Sequence, residues 1–371
     1  MKNSEILSKN PVIFDESVLT TYCQKSKIQP YRQKQILHEI FKNQQIFFDD
    51  MTTLSKDLRE QLKTALEILS LSQDVILEDR DTVKIWFKTH DGYVVESVLM
   101  FHWSKHVAGK LNRITQCISS QIGCPVWCVF CVTGKLWIKR NLTWDEIVSQ
   151  ILRANHYIKN KFWKKEDGSL YRVRNVVFMW MWEPLLNYNN VTKSLQYMLA
   201  QNKLSLSKRH ITISTCGIIS WIQKLIDDRI DVMLAISLHG PTQQLREELI
   251  PIAQTNKLKD LMHILQKYIQ KTNNRIFYEY IMIRDVTDTP QIASQLADLL
   301  CGQLAHVNLI PYNQNPALSM KESKSQDIRK FKNILEKKWI TVTTRDSLGR
   351  EAKSACGQLW YEKVEKDNSA Q

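Results

Sequence analysis

From residue 113 onward, short strand-like segments alternate with segments of helical periodicity, and this alternation restricts the fold more than any other feature of the sequence. The predicted strands are 113–119, 174–179, 210–215, 231–237, 276–283 and 305–310. The predicted helices are 144–158, 189–199, 242–250 with 257–271, 290–300 and 322–337, and a last strand covers 340–345. Strands that alternate with helices usually pair in parallel. We therefore predict an α/β fold, a partial (β/α)6 barrel like part of a TIM barrel.

The residues before 113 follow a different pattern. Apolar residues recur at helical spacing up to about residue 72, and the segments 82–89 and 93–101 flank an Asp91-Gly92 turn as the two strands of a β-hairpin. We expect four parts along the chain. They are a helical accessory domain that binds RNA (1–72), a β-hairpin linker region (73–112), the partial barrel (113–345) and a C-terminal segment (346–371).

The chain as a whole is basic. Lysine and arginine number 51 against 38 aspartates and glutamates, a net charge of +13 over 371 residues. Such a charge indicates an anionic partner, most simply nucleic acid, although a solvated basic surface is equally compatible with composition alone. No apolar run approaches the roughly 18 residues of a membrane span, and the N-terminus lacks the apolar core of a signal peptide. We expect a cytoplasmic monomer without membrane contact.

Chemically versatile residues follow the predicted strands at the point where each strand ends. After the first strand come three closely spaced cysteines. The later strands are followed by Glu183-Pro184, by Ser214-Thr215-Cys216, by Ser237-Leu238-His239 and by Pro311-Tyr312-Asn313. Because the carboxyl ends of parallel strands meet at one rim, where α/β barrels carry their active sites, we predict a single site there.

The three cysteines form the motif C-x3-C-x2-C, with Cys124, Cys128 and Cys131 on one tight loop. A structural zinc site normally takes four protein ligands in two separated pairs, and no second pair follows here. Three thiolates suit a [4Fe–4S] cluster that leaves one iron open to a small molecule. Zinc with a distant fourth ligand is the alternative.

This loop, after the first strand of a partial α/β barrel, resembles the radical S-adenosylmethionine (SAM) superfamily. The flanking segments resemble the RlmN family of dual-specificity 23S rRNA and tRNA adenine-C2 methyltransferases, from about residue 80 to 361 and more loosely in the N-terminal helices. They are 117–124 (CISSQIGC), 129–134 (VFCVTG), 140–143 (RNLT), 236–239 (ISLH), 309–313 (LIPYN) and 355–358 (ACGQ).

The resemblance implies a two-step reaction. SAM methylates Cys356, a radical from a second SAM activates that methyl group, and the methyl carbon adds to C2 of an adenosine. Cys117 then resolves the adduct through a Cys117–Cys356 disulfide, with Glu96 as proton acceptor. The implied substrates are the peptidyl-transferase centre of 23S rRNA and the tRNA position 3′ of the anticodon, and an external electron donor and a disulfide reductant are needed. The implied SAM contacts are Trp182, Glu183, Ser214, Ser237, Leu238, His239 and Asn313.

Two other functions fit much of this pattern. A Cfr-type adenine-C8 methyltransferase shares the cluster and both redox cysteines, and a non-catalytic iron–sulfur protein could bind RNA without reaction. Retention of Cys117, Cys356 and Glu96 argues against simple binding, which needs none of them. Candidate phosphate contacts are Arg345, Arg350, Lys353, the 208–210 segment (KRH) and the basic run 159–165.

Tryptophan stands where the resemblance calls for glycine or another small residue. The chain has 11 tryptophans and only 10 glycines, whereas glycine normally makes up about 7% of a protein. The seven positions concerned are Trp127, Trp137, Trp180, Trp182, Trp221, Trp339 and Trp360. Some bacteria read the codon UGA as glycine, and a variant translation table reads it as tryptophan. We hypothesise that these seven residues are glycine in the native protein.

Overall fold

The computed structural model describes residues 10–104, 107, 110–131, 137–162, 164–165, 167–179, 183–314 and 318–345. The helices are α1 (Glu16–Lys25), α2 (Pro30–Phe41), α3 (Lys56–Ala65), α4 (Trp144–Lys161), α5 (Tyr188–Leu199), α6 (Ile219–Asp227), α7 (Gln243–Leu249), α8 (Leu258–Thr272), α9 (Pro290–Leu299) and α10 (Ser325–Lys337). The strands are β1 (Leu71–Asp79), β2 (Thr82–Thr89), β3 (Val94–Trp103), β4 (Leu111–Cys117), β5 (Gln121–Ile122), β6 (Arg140–Asn141), β7 (Asn175–Phe178), β8 (Ile211–Thr215), β9 (Met233–Ser237), β10 (Ile276–Met282), β11 (Ala305–Pro311) and β12 (Thr341–Thr344).

Ten of these strands form one open sheet in the order β1-β2-β3-β4-β7-β8-β9-β10-β11-β12, while β5 and β6 pair separately. Within this sheet β4 and β7 to β12 are parallel to one another, and neighbours among β1 to β4 are antiparallel. Because β1 and β12 lie at opposite edges, the sheet is not a closed barrel. This topology confirms the predicted α/β fold.

The sheet has two faces of different character. Side chains such as Val176, Ile213 and Tyr278 belong to the core that packs against the helices. Residues one position away in the chain, such as Ser214 and Glu279, line a cavity instead. We refer to this second side as the inner face. A strand exposes alternate residues to opposite faces, so the parallel strands offer both a hydrophobic core and a polar interior.

The N-terminal helices attach through aromatic packing. Phe14, which precedes α1, lies edge-on to Trp144 at 5.7 Å between ring centroids, and Trp144 stacks on Tyr197 at 4.5 Å. Asp15 caps α1 by accepting a hydrogen bond from the N–H of Ser17 at 3.0 Å. The aromatic contacts of Phe14 and Trp144 join the segment before α1 to α4 and α5. No helix among the described residues is both long and apolar enough to cross a membrane.

Two elements differ from the sequence prediction. Helix α6 was not predicted, because its short segment begins with isoleucines that resemble a strand, although Ile222 and Leu225 turn one face toward the core. The predicted hairpin is a meander of three strands, since β1 pairs with β2. Most of β1 is not buried, so its sequence lacks the regular apolar alternation that would have marked it.

Helix α10 ends in a hydrogen-bond pattern that usually contains glycine. The N–H of Ile340 donates to the carbonyl of Leu335 at 3.2 Å, and the N–H of Trp339 donates to the carbonyl of Glu336 at 3.0 Å. This is a Schellman motif, in which the residue after the cap takes a left-handed conformation. Trp339 occupies that position with a φ of 62°. Its side chain is 96% exposed, so packing does not offset the backbone strain.

Replacing Trp339 with glycine is expected to raise the free energy of unfolding by about 1 kcal/mol. A left-handed conformation costs a residue with a Cβ roughly 1–2 kcal/mol, and the added flexibility of unfolded glycine removes part of the gain. Urea denaturation measures the change. Trp339→Ala is the matched control, because it removes the ring but keeps the Cβ. A glycine variant no more stable than the alanine variant would contradict the strain argument.

Candidate active site at the carboxyl ends of the strands

A cavity of about 190 Å³ lies at the carboxyl ends of the parallel strands. Most of the side chains predicted from the sequence to form the site line it. They are Cys124, Cys128, Cys131, Glu183, Ser214, Ser237, His239 and Asn313. Leu238 is buried beside the cavity and does not line it. Trp182 and Cys356 lie outside the described residues.

The cysteine loop is held in place by its backbone. Gly123 precedes it with a φ of 85°, and a Cβ there would lie 2.0 Å from the carbonyl oxygen of Trp137. The N–H of Val126 points to Sγ of Cys124 at 3.4 Å. At the far side of the loop, the N–H of Val129 donates to the carbonyl of Leu249 at the end of α7. The loop is therefore tied to the end of α7, and glycine is required where the chain before it passes Trp137.

Burial controls the ionisation of the cysteine thiols. It raises the pKa of Cys124 to about 12 and raises the pKa of Cys128 above its ordinary value. Both effects are increased by the proximity of the other cysteines and of Glu183. Thiolates are the metal-binding form, so the protons leave when a positively charged metal centre takes their place.

The donor set fits an iron–sulfur cluster. Within the described parts of the chain, no group of three histidine, cysteine, aspartate or glutamate side chains is arranged to hold a single metal ion. Thiolates that bind a cubane cluster each hold a different iron and stand further apart than the ligands of one ion. Three cysteines of one loop line one cavity and would supply three thiolates to such a cluster, with one iron left open.

Glu183 is a buried carboxylate between two strand ends. One of its oxygens accepts a hydrogen bond from the N–H of Cys216 at 2.7 Å, and the other accepts from the N–H of Leu185 at 3.2 Å. Its own N–H donates to the side chain of Gln121 at 3.1 Å. Burial raises the pKa of Glu183, and these hydrogen bonds oppose that rise. The carboxylate is thus oriented by backbone donors while it still lines the cavity.

His239 is a neutral hydrogen-bond donor at the rim. Burial lowers its pKa to about 3, and the nearby Arg246 acts in the same direction. Its Nδ1 accepts a hydrogen bond from the N–H of Ile281 at 3.1 Å. The proton of the neutral ring therefore resides on Nε2. The residue has a φ of 55°, and Phe130 of the cysteine loop packs edge-on against its ring at 4.8 Å.

Arg246 of α7 is a positioning residue that the sequence reasoning missed. It is fully buried, and its Nη1 donates to the carbonyls of Ser237 at 2.9 Å and Leu238 at 2.8 Å. Its Nη2 donates to the carbonyl of Cys216. Gly217, with a φ of 96°, makes room for it, because a Cβ there would lie 3.0 Å from Nη2. One guanidinium thus holds together the chain segments that follow β8 and β9.

A second missed group lies on the inner face around Glu279. Its Oε1 accepts hydrogen bonds from Asn308 at 2.8 Å and from Arg345 at 3.3 Å. Its Oε2 is buried and has no hydrogen-bond partner among the described residues, and the same is true of the hydroxyl of Tyr312. Both side chains line the cavity. Since buried polar atoms are normally paired, these two indicate a polar ligand.

Cys117 and Glu96 lie on the same inner face as the cavity residues. Cys117 pairs in register with Val177, and Val177 pairs with Thr212, two residues before Ser214. Cys117 also lies opposite Val98, so Glu96 is its diagonal neighbour on β3, a separation of roughly 7–8 Å between Cα atoms. Both residues are buried. The predicted resolving cysteine and proton acceptor are therefore neighbours.

The tryptophans proposed to be glycines differ among themselves. Trp127, inside the cysteine loop, has a φ of 61°, a region in which a bulky residue is an outlier. Trp137 is an exposed residue that packs edge-on against Trp127 at 4.7 Å. Trp221 lies in helix α6 and stacks on Tyr188 at 4.9 Å, and its conformation gives no reason for glycine. Trp180, Trp182 and Trp360 lie outside the described residues.

Two family models match the chain. The ribosomal RNA large subunit methyltransferase N-terminal domain matches residues 10–68, and the radical SAM superfamily matches residues 118–293. The second match contains the cysteine loop and strands β7 to β10 with the residues that follow them. Membership of that superfamily implies a [4Fe–4S] cluster and SAM, which agrees with the donor set described above.

Individual relatives cover nearly the whole chain. A probable dual-specificity RNA methyltransferase RlmN of Aquifex aeolicus is 39% identical over 342 residues, 91% of this chain and 93% of the relative. One from Thermotoga neapolitana is 40% identical over 334 residues, with 90% and 92% covered. The crystal structure of a radical SAM methyltransferase from Sphaerobacter thermophilus superposes with a TM-score of 0.84 at 33% identity, covering 92% of this chain and 96% of the other. The chain belongs to the RlmN family of radical SAM RNA methyltransferases.

Proposed function

We propose that this protein methylates C2 of an adenosine in 23S rRNA and in tRNA, using two SAM molecules per turnover. The observation that carries the proposal is the shared inner face. The cysteine loop, the polar strand ends and Cys117 all lie on one side of one sheet. C2 of adenine is electron-poor and does not attack the methyl group of SAM, so the reaction needs the radical chemistry that a cluster supplies when bound to the three cysteines.

The residues of the cavity have separable roles in this proposal. Glu183 accepts a hydrogen bond from the ammonium group of SAM, because its carboxylate is already oriented by backbone donors. Ser214, Ser237 and Asn313 contact the remaining polar groups of SAM. His239 donates through Nε2 and cannot add positive charge next to the sulfonium, since its pKa is about 3.

An apolar cluster keeps water from the reacting atoms. Val126, Ile218, Leu249, Ile250, Ile281 and Tyr312 are buried together, and Cys124, Cys128 and Phe130 pack against them. Exclusion of water strengthens the electrostatic and hydrogen-bond contacts that hold a substrate in the site. Of these side chains, Val126, Phe130, Ile281 and Tyr312 line the cavity together with the cysteines.

The two redox cysteines act in sequence. Cys356 carries the methyl group, and its carbon becomes bonded to the RNA. Cys117 attacks the sulfur of Cys356, which releases the methylated base and leaves a disulfide, and the one electron left over from the radical addition would pass to the cluster that the three cysteines hold. Glu96, the diagonal neighbour of Cys117, accepts the proton that must leave C2. An external electron donor and a disulfide reductant complete the cycle.

Loss of Cys117 is expected to trap the enzyme on its substrate. Reconstituted Cys117→Ser protein is incubated with SAM, a reductant and unmodified 23S rRNA or tRNA transcripts. A covalent protein–RNA adduct should accumulate, since serine does not cleave the carbon–sulfur bond, and methylated product should fall more than about 100-fold. Cys301→Ser, a change at an exposed cysteine, is the control and should retain activity.

Mass spectrometry of the digested RNA identifies the methylated carbon. Methylation at C2 supports the proposal, whereas methylation at C8 would assign the protein to the Cfr-type reaction. Protein that binds RNA but consumes no SAM, despite a full complement of iron, would indicate a non-catalytic binding role. An unmodified Cys356 in turning-over enzyme would overturn the methyl-cysteine step.

A further inference from the structure

A second cavity lies at the opposite end of the barrel strands from the active site. It has a volume of about 300 Å³ and is formed by the residues that begin β4 and that precede β7 and β8. Arg113, Arg172, Arg174, Lys165 and His210 line it. No aspartate or glutamate contributes to its lining. Five basic side chains around one cavity without a carboxylate make a site for anions.

This cavity continues into a larger one. A neighbouring cavity of about 650 Å³ shares Lys165 and Arg172 with it and adds Lys164, Lys159 and Lys42, together with the carboxylates of Glu39 and Asp50. The larger cavity reaches the loop after α2, so the basic residues extend from the barrel to the N-terminal helices. We call Arg113, Lys164, Lys165, Arg172, Arg174 and His210 the basic strip.

The charges of the basic strip are not neutralised within the protein. In the part of the chain that the structure describes, none of its arginines and lysines forms an ion pair. Arg172 donates to the backbone carbonyl of Leu204 at 3.5 Å, and outside the strip Lys42 and Lys159 donate to the carbonyls of Gln201 at 2.7 Å and Asn43 at 2.8 Å, contacts that leave each positive charge in place. Burial lowers the pKa of His210, and the neighbouring Arg174 and Arg113 lower it further, which reflects their positive field.

We propose that the basic strip binds the phosphodiester backbone of the RNA substrate at a distance from the reacting base. The proposal rests on the function proposed above and deepens it. The cations are spread along two joined cavities and do not converge on one point, which suits a chain of phosphates better than a single phosphate group. Strand β8 has five residues, so the two ends of the barrel are separated by about 17 Å at 3.3 Å per residue. A large folded RNA spans that distance.

The test measures how RNA affinity depends on salt. Arg113→Gln, Arg172→Gln and Arg174→Gln are combined in one variant, and the Kd for a tRNA transcript is measured at about 50, 100 and 200 mM salt. Each lost phosphate contact lowers the slope of log Kd against log salt by roughly 0.7–0.9. We expect the slope to fall by about 2 and the affinity at about 100 mM salt to fall at least 10-fold. The three side chains are exposed, so the variant should unfold at the wild-type temperature.

A second triple variant controls for net charge. Lys259→Gln, Lys267→Gln and Lys271→Gln remove the same charge from exposed positions on α8. An equal loss of affinity in this control, or an unchanged salt slope in the arginine variant, would overturn the proposal. A third outcome would also overturn the proposal. In it, the wild-type protein binds inorganic phosphate tightly, as measured by calorimetry, and the arginine variant loses this binding but keeps its RNA affinity. SAM cleavage without RNA should be the same in all three proteins.

The experiment separates this proposal from the proposed function. A wild-type enzyme that methylates RNA, together with an arginine variant of unchanged RNA affinity, would refute the basic strip alone. A wild-type enzyme that consumes SAM but neither binds nor methylates RNA would refute both.

Discussion

A variant with glycine at positions 180 and 182 is expected to bind SAM about 100-fold more tightly than the chain with tryptophan there. Position 182 directly precedes Glu183, whose carboxylate lines the cavity. Glycine lets a ligand approach the backbone closely, and two indole rings before this carboxylate oppose that approach. A 100-fold change corresponds to about 2.8 kcal/mol of binding free energy. Equilibrium dialysis of SAM against reconstituted protein measures it.

The matched control for this variant is Trp180→Phe with Trp182→Phe, which keeps both positions bulky and should gain nothing. Equal SAM affinity in the glycine and phenylalanine variants would remove the steric argument. Peptide mass spectrometry of protein from its native cell tests the origin of the residues, and we expect glycine at both positions. UGG codons at the seven positions would refute the decoding hypothesis. Trp339 and Trp127, both with a left-handed backbone, support it independently.

The second large effect is expected from Arg246→Met. This change removes the donors to the carbonyls of Ser237, Leu238 and Cys216, all of which are buried or partly buried. Each buried carbonyl left without a partner costs about 1–3 kcal/mol, so we expect the free energy of unfolding to fall by about 3–5 kcal/mol. The strand ends beside the cysteine loop should also loosen, and iron retained per chain should fall.

Chemical denaturation and iron analysis of the purified variant check both effects. Arg275→Met, at an exposed arginine, is the control and should change stability by less than about 0.5 kcal/mol. If Arg246→Met lowers stability but keeps all of its iron and SAM affinity, the residue stabilises the fold without positioning the site. If the Arg246→Met variant were as stable as the Arg275→Met control, the structural role would be contradicted as well.

Much of the fold could be predicted because the signals were local. The parallel strands are short and apolar, and each is followed by a residue type that interrupts the pattern, as Ser237 and Asn313 do. Their meeting at one cavity follows from the parallel topology alone. Helix α6 was missed because Ile218 and Ile219 favour a strand locally, and packing of Ile222 and Leu225 overrides that preference.

The missed site residues depend on tertiary contacts. Arg246 lies in a segment with two glutamates and two glutamines, and this composition predicts an exposed helical surface. The side chain becomes buried only in the folded protein, where it contacts the chain segments that follow β8 and β9. Glu279 similarly follows Tyr278 in an ordinary strand pattern, and only the sheet register places it beside Asn308. No spacing in the sequence distinguishes either residue from a solvated charge.

The burial of Cys117 determines how the proposed disulfide can be reopened. Its side chain is only 3% exposed at the end of β4, so a protein reductant cannot reach its sulfur. Thiol–disulfide exchange therefore begins at the sulfur of Cys356, and Cys117 leaves as the free thiol. In the proposed cycle, accessibility and not the relative acidity of the two thiols would set the direction of the regeneration step.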